Sequence, residues 1–98
     1  MIERLPPIHP GEILKEALDA ANLSVNRLSL DLHVPSNRIG AIVKGHRGIT
    51  ADTALRLARY FGTSALLWLN LQTRYELAVA EDQVAKQIER DVQPRAAA

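Results

Sequence analysis

Residues 24–45 read SVNRLSLDLHVPSNRIGAIVKG, and this stretch decides the fold. Val34-Pro35 divides it, because the residue before a proline is pushed out of the helical basin. On the N-terminal side, Leu28 and Leu32 are four apart and mark the inward face of a short helix, which Ser24 or Asn26 can cap. Leu30, between them, is left open as a member of that face. On the C-terminal side, Ile39, Ile42 and Val43 give a second short helix its inward face, and Gly45 stops it. The sequence therefore predicts two short helices joined by a tight turn.

The outward face of the second helix is unusual. Once its apolar residues are turned inward, Ser36, Asn37, Gly40, Ala41 and Lys44 remain. None is a large apolar group. Such a face suits a helix-turn-helix, whose second helix enters a DNA major groove about 12 Å wide while its back packs on its own domain. The N-terminal end of that helix normally meets base edges. Ser36, Asn37, Arg38 and Ala41 are accordingly the candidate base contacts: Asn can bond adenine in a bidentate way, Ser can bond several bases, Arg can reach guanine or phosphate, and an Ala methyl suits a thymine methyl. Ser24, Asn26, Arg27, Lys44 and Arg47 are the candidate phosphate contacts. Each has a plainer reading. Ser36 and Asn37 are ordinary helix-start residues, and Arg38, Lys44 and Arg47 can be solvated charges.

Charge distribution agrees with this placement. The chain as a whole carries a formal net charge of only +1. Residues 24–50 hold Arg27, Arg38, Lys44 and Arg47 against Asp31, whereas basic and acidic residues balance from 51 to 98. A local positive excess is the footprint expected of an anionic partner.

Outward from the central stretch, helical signals continue. Pro10 suits a first helical turn. Ile13, Leu14, Ala17, Leu18 and Ala21 then share a face, Glu12 favours the helix N-terminus, and Asn22 can end the helix. Thr50 caps a fourth helix, with Asp52 in its first turn, Ala54, Leu55, Ala58 and Phe61 inward, and Gly62 at its end. Thr63 or Ser64 caps a fifth, whose apolar residues from Leu66 to Val79 make more than one stripe. A helix of that kind sits centrally or shares a face with another chain. Leu67, Trp68, Leu71 and Tyr75 are the candidate dimer contacts, with core packing as the alternative for Trp68 and Tyr75. Strand signals are missing. The expected fold is all-α, a five-helix bundle-like domain with a helix-turn-helix. Residues 1–98 form one domain, with a core over about 8–80 and a flexible or short helical tail over 81–98.

Three stretches carry a family resemblance. HPGEILKEAL at 9–18, KGHRGITADTALRLARYFGTS at 44–64 and LLWLNLQTRYELA at 66–78 resemble the HigA-type antitoxins of the Xre, phage-repressor-like helix-turn-helix group. The likeness spans about residues 8–80. It implies a homodimer, repression of its own operon through double-stranded operator DNA, and binding of a small RelE-like (HigB-like) toxin, a ribosome-dependent mRNA endonuclease. A free-standing repressor without a toxin is the alternative.

Other classes find less support. The chain has no cysteine, hence no disulfide framework or thiolate metal site, which fits a cytoplasmic protein. His9, His33 and His46 lack metal spacing; His9 is expected to order the approach to the first helix and His33 to end the second. No signal peptide, membrane span, phosphate loop or catalytic set is expected, so neither a cofactor nor an enzyme activity is. A protein-binding adaptor would expose apolar anchors where residues 36–44 show small polar ones.

Overall fold

The computed structural model describes residues 6–96. Among them run five helices and no strand: α1 (Pro10–Ala20), α2 (Val25–Leu32), α3 (Ser36–Val43), α4 (Ala51–Phe61) and α5 (Ala65–Asp91).

Local sequence sets most of the boundaries. His9 caps α1: its Nδ1 accepts from the Gly11 N–H at 2.9 Å, and the Glu12 carboxylate accepts the His9 N–H in return. Ser24 Oγ caps α2 by accepting from the Arg27 N–H at 3.0 Å, and Ser64 Oγ does the same for α5 from Leu67 at 3.1 Å. Thr50 caps α4. Ile49 and Ala54, at the two positions that commonly staple a helix start, are both buried. Two residues at positive φ, Asn22 and His33, turn the chain out of α1 and α2. Gly62 closes α4 in the left-handed conformation, which glycine adopts without steric cost.

One core joins the elements. Leu14 and Leu18 of α1, Leu28 and Leu32 of α2, Ile39 and Ile42 of α3, Ile49, Ala54 and Leu57 around α4, and Trp68 of α5 are all buried together. Burying each large aliphatic side chain contributes roughly 1.5–3 kcal/mol. α3 lies against α1 and α2, α4 against α2 and α5, and α1 also touches α5. The approach of α1 to α3 is close: a Cβ on Gly11 would overlap the Ile42 carbonyl oxygen.

Several inward assignments shift. Leu55 is 63% exposed, while Leu57 and Thr53 are buried. Leu55 sits about 100° around the helix from Ala54, a quarter turn off the core. Leu30 and Ala21 are exposed as well. Beyond Ala80 there is no separate short helix. α5 continues without a break to Asp91, although every described residue from 80 onward is exposed. Residues 92–96 carry no regular structure. Ala97 and Ala98, part of the expected disordered tail, lie outside the described residues.

Candidate nucleic-acid interface

The turn between α2 and α3 brings together side chains that are up to about twenty residues apart in sequence. Val25, Asn26, Ser36, Asn37, Gly40, Ala41, Lys44 and His46 line one shallow open concavity. Its floor is the small-residue face of α3, where even a Cβ added at Gly40 would only touch Val25. Five of the expected contacts, Asn26, Ser36, Asn37, Ala41 and Lys44, meet there.

The start of α3 bears directly on Ser36 and Asn37. Pro35 is its N-cap, and no side chain caps it. Both residues are exposed. The plainer reading, in which they cap the helix, is therefore not realised. Both stand at the start of α3, where no side chain caps the helix.

The arginines are placed differently from one another. Arg38 sits at the flank of α3, only a quarter exposed, and its Nη1 donates to Asp52 Oδ1 at 3.0 Å. The same oxygen accepts from Arg56 Nε at 2.8 Å, and Arg56 Nη1 donates to the Leu32 carbonyl at 2.8 Å. This network ties α3 and the end of α2 to α4. The Arg56 hydrogen bond, seconded by the charge of Arg56 and by Arg38, holds the Asp52 carboxyl below its ordinary value, although desolvation works the other way. Arg27 pairs with Asp31 at 3.3 Å. Asp31 also accepts from the Tyr60 hydroxyl at 2.8 Å, and that bond pushes the phenol up. Lys44 and Arg47 are exposed, with no ion pair among the described residues. Arg47 lies in the loop after α3, outside the concavity. That loop is anchored to α5, since Gln72 Oε1 accepts from the Ile49 N–H at 2.8 Å and Gln72 packs closely on Gly48. Ser24 points its hydroxyl at its own helix start.

Sequence reasoning missed Val25 and His46 as members of this surface. His46 follows the glycine that ends α3, and only the backbone path of that loop returns it to the concavity. Trp68, for which interface and core were both open, belongs to the core cluster. Trp68 is 3% exposed, stands beside Phe61, and donates from Nε1 to Thr63 Oγ1 at 2.9 Å. That burial makes it part of its own chain's core. Leu67 is exposed; Leu71 and Tyr75 are half-buried, with Tyr75 standing edge-on to the His9 ring.

A helix-turn-helix family pattern matches residues 14–68, the span from Leu14 of α1 to Trp68 of α5. The chain belongs to the helix-turn-helix family. Virulence-associated protein I of Dichelobacter nodosus is 58% identical over 78 residues, covering 79% of this chain and 72% of that protein. Among solved structures, this helix-turn-helix chain resembles an addiction module antidote protein of the HigA family from Coxiella burnetii, with 50% identity, a TM-score of 0.90, and coverage of 93% of this chain and all of the other. Antitoxin HigA of Pseudomonas aeruginosa, solved with the higBA promoter, shares 47% identity at a TM-score of 0.89, covering 92% of this chain and 99% of that one. The five-helix architecture is thus that of HigA-family antitoxins. No helix among the described residues is long and apolar enough to cross a membrane.

Proposed function

We propose that this protein is an operator-binding antitoxin: it represses its own operon and neutralises a small RelE-like, HigB-like endonuclease encoded beside it. One observation carries the DNA half. Ser36, Asn37, Gly40, Ala41 and Lys44 share a single open face on α3, and the start of the helix makes no use of the first two as caps. In this reading α3 lies in the major groove with Asn37 and Ala41, an i, i+4 pair, directed at base edges. Lys44, Arg47, Arg27 and the start of α2 around Ser24 and Asn26 meet phosphates. The likeness to an antitoxin solved with its promoter supports it. The toxin half rests on the antitoxin relatives alone.

The reading includes a homodimer through α5. Leu66 and Leu67 near its start and Leu77, Val84 and Ile88 further along are exposed apolar side chains, and Leu71 and Tyr75 border them. A pair of recognition helices then stands about 34 Å apart, or a multiple of it, to reach successive major-groove turns. We also take residues 8–80 as the folding unit, with the tail outside it.

The test is a binding titration on the duplex upstream of the chain's own gene against a random duplex of equal length. The expected result is a clear preference for the former and a steep salt dependence, with Lys44→Ala lowering the slope of log K against log salt by about 0.9. Equal affinity for both duplexes would sink the operator reading. For the toxin, co-expression with the neighbouring toxin frame should restore growth; failure of the wild-type chain to do so would leave a free-standing repressor.

A further inference from the structure

Arg38 and Asp52 form an ion pair between α3 and α4. Arg38 is on the first turn of α3, next to Asn37, yet it is not part of the concave face. It lies about 100° around the helix from Asn37, over the flank. When a helix sits in a major groove, its flanks face the phosphate walls. In the free protein, however, the Arg38 guanidinium is held 3.0 Å from Asp52 on the first turn of α4. Asp52 does not depend on it. The same Oδ1 keeps Arg56 at 2.8 Å, and Arg56 is itself fixed by the Leu32 carbonyl. Asp52 can therefore release Arg38 without leaving a carboxylate unpaired. Nor is the contact sealed, because the Asp52 side chain is more than half exposed.

We infer that Asp52 is a specificity-determining counter-charge, which holds Arg38 away from DNA in the free protein and yields it to a backbone phosphate only when α3 is fully seated in the groove. The inference rests on the DNA-binding reading proposed above. Its physical basis is a competition between two anions for one guanidinium. An exposed carboxylate pair is weak, so a phosphate brought into register displaces it. A loosely placed phosphate, as in a non-specific complex, does not, and Arg38 stays on Asp52. The device lowers affinity for random DNA more than for the operator. It raises the ratio of the two affinities, which governs occupancy among many competing sites.

The experiment is a double-mutant cycle of Asp52→Asn and Arg38→Ala, read on two duplexes of equal length: one selected by the wild-type protein from a randomised pool, and one of random sequence. Salt titrations accompany each titration. Asp52→Asn should tighten random-duplex binding by about two- to fivefold, the range of an exposed ion pair, and change selected-duplex binding less. Arg38→Ala should reduce the salt slope on the selected duplex by about 0.9, one phosphate contact, and leave the slope on random DNA unchanged. In the Arg38→Ala background, Asp52→Asn should act equally on both duplexes. Thermal melts of the four proteins check that each is folded. An equal effect of Asp52→Asn on both duplexes in the Arg38 background would overturn the inference. So would a persisting difference between duplexes once Arg38 is gone, since Asp52 would then act through something else. If both variants lowered affinity in step with melting temperature and left every slope unchanged, Arg38 and Asp52 would be only a strut between α3 and α4. A wild-type protein that selects no duplex at all would instead remove the DNA-binding reading beneath it.

Discussion

α3 and the last turns of α5 are both helices with one face open to solvent, yet they are stable for opposite reasons. α3 has eight residues, too few to persist alone in water. It is held from behind by α1 and α2 through Ile39 and Ile42, so its front is free to be small and polar. The end of α5 buries none of its described residues. From Ala80 onward every described residue is exposed, and the helix is carried forward by the backbone ladder of a 27-residue element about 40 Å long. Its open face bears Leu77, Val84 and Ile88, four and seven apart as a helix stripe requires. An open polar face over a packed back suits a rigid reader, whereas an open apolar face on a helix end whose described residues are all exposed suits a surface completed by another chain.

This contrast can be broken most strongly from behind α3. Ile39→Ala opens a cavity in the shared core and should cost about 2–5 kcal/mol in denaturant unfolding; a loss below 1 kcal/mol would mean that α3 is not held as described. Gly11→Ala should cost about 1–3 kcal/mol, because the new methyl forces α1 off the α3 backbone. Its signature is that operator preference weakens even under conditions where the protein remains folded. In the other region, Ile88→Ser should change the unfolding free energy of a dilute, monomeric sample by no more than about 0.5 kcal/mol, while weakening self-association in sedimentation at tens of micromolar. A large loss of monomer stability would show that the end of α5 folds back on its own chain. The smallest effect concerns pH. Asp52 is held below its ordinary value of 3.8 in the folded state, so its contribution is present above that value and is lost as pH falls through the lower, folded one. Wild type and Asp52→Asn should thus differ in stability by a constant amount from pH 5 to 8 and converge only in acid.

The five helices were legible because caps and breakers punctuate them: Pro10, Ser24, Val34-Pro35, Gly45, Thr50, Gly62 and Ser64 stand where the structure begins or ends an element or turns the chain. The inward faces of α1 to α3 followed from period, apart from Ala21 and Leu30, which are exposed. Three features did not. Leu55 reads as core for its hydrophobicity, but α4 lies on its Thr53–Leu57 side, and only the packing of α2 and α5 decides that rotation. The apolar excess on α5 leaves interface and core both open for Trp68; its indole is enclosed beside Phe61, with Thr63 as its acceptor. Arg38 read as a base contact because it follows Asn37, and nothing in residues 36–44 announces an aspartate fourteen positions away that holds its guanidinium. Local pattern reveals which residues a helix exposes. It does not reveal which long side chains are already engaged by a neighbouring helix.

The most direct test of α3 as a sequence reader is the affinity of Asn37→Ala for the selected duplex and for a random duplex, with a thermal melt alongside. Asn37 makes no cap in this structure, so the melt should hardly move. The expected result is a loss of about 1–3 kcal/mol on the selected duplex, with random-duplex binding nearly unchanged and preference relaxed at one base pair per half-site. An unchanged ratio of the two affinities, or a fall in both that follows a lowered melting temperature, would contradict it.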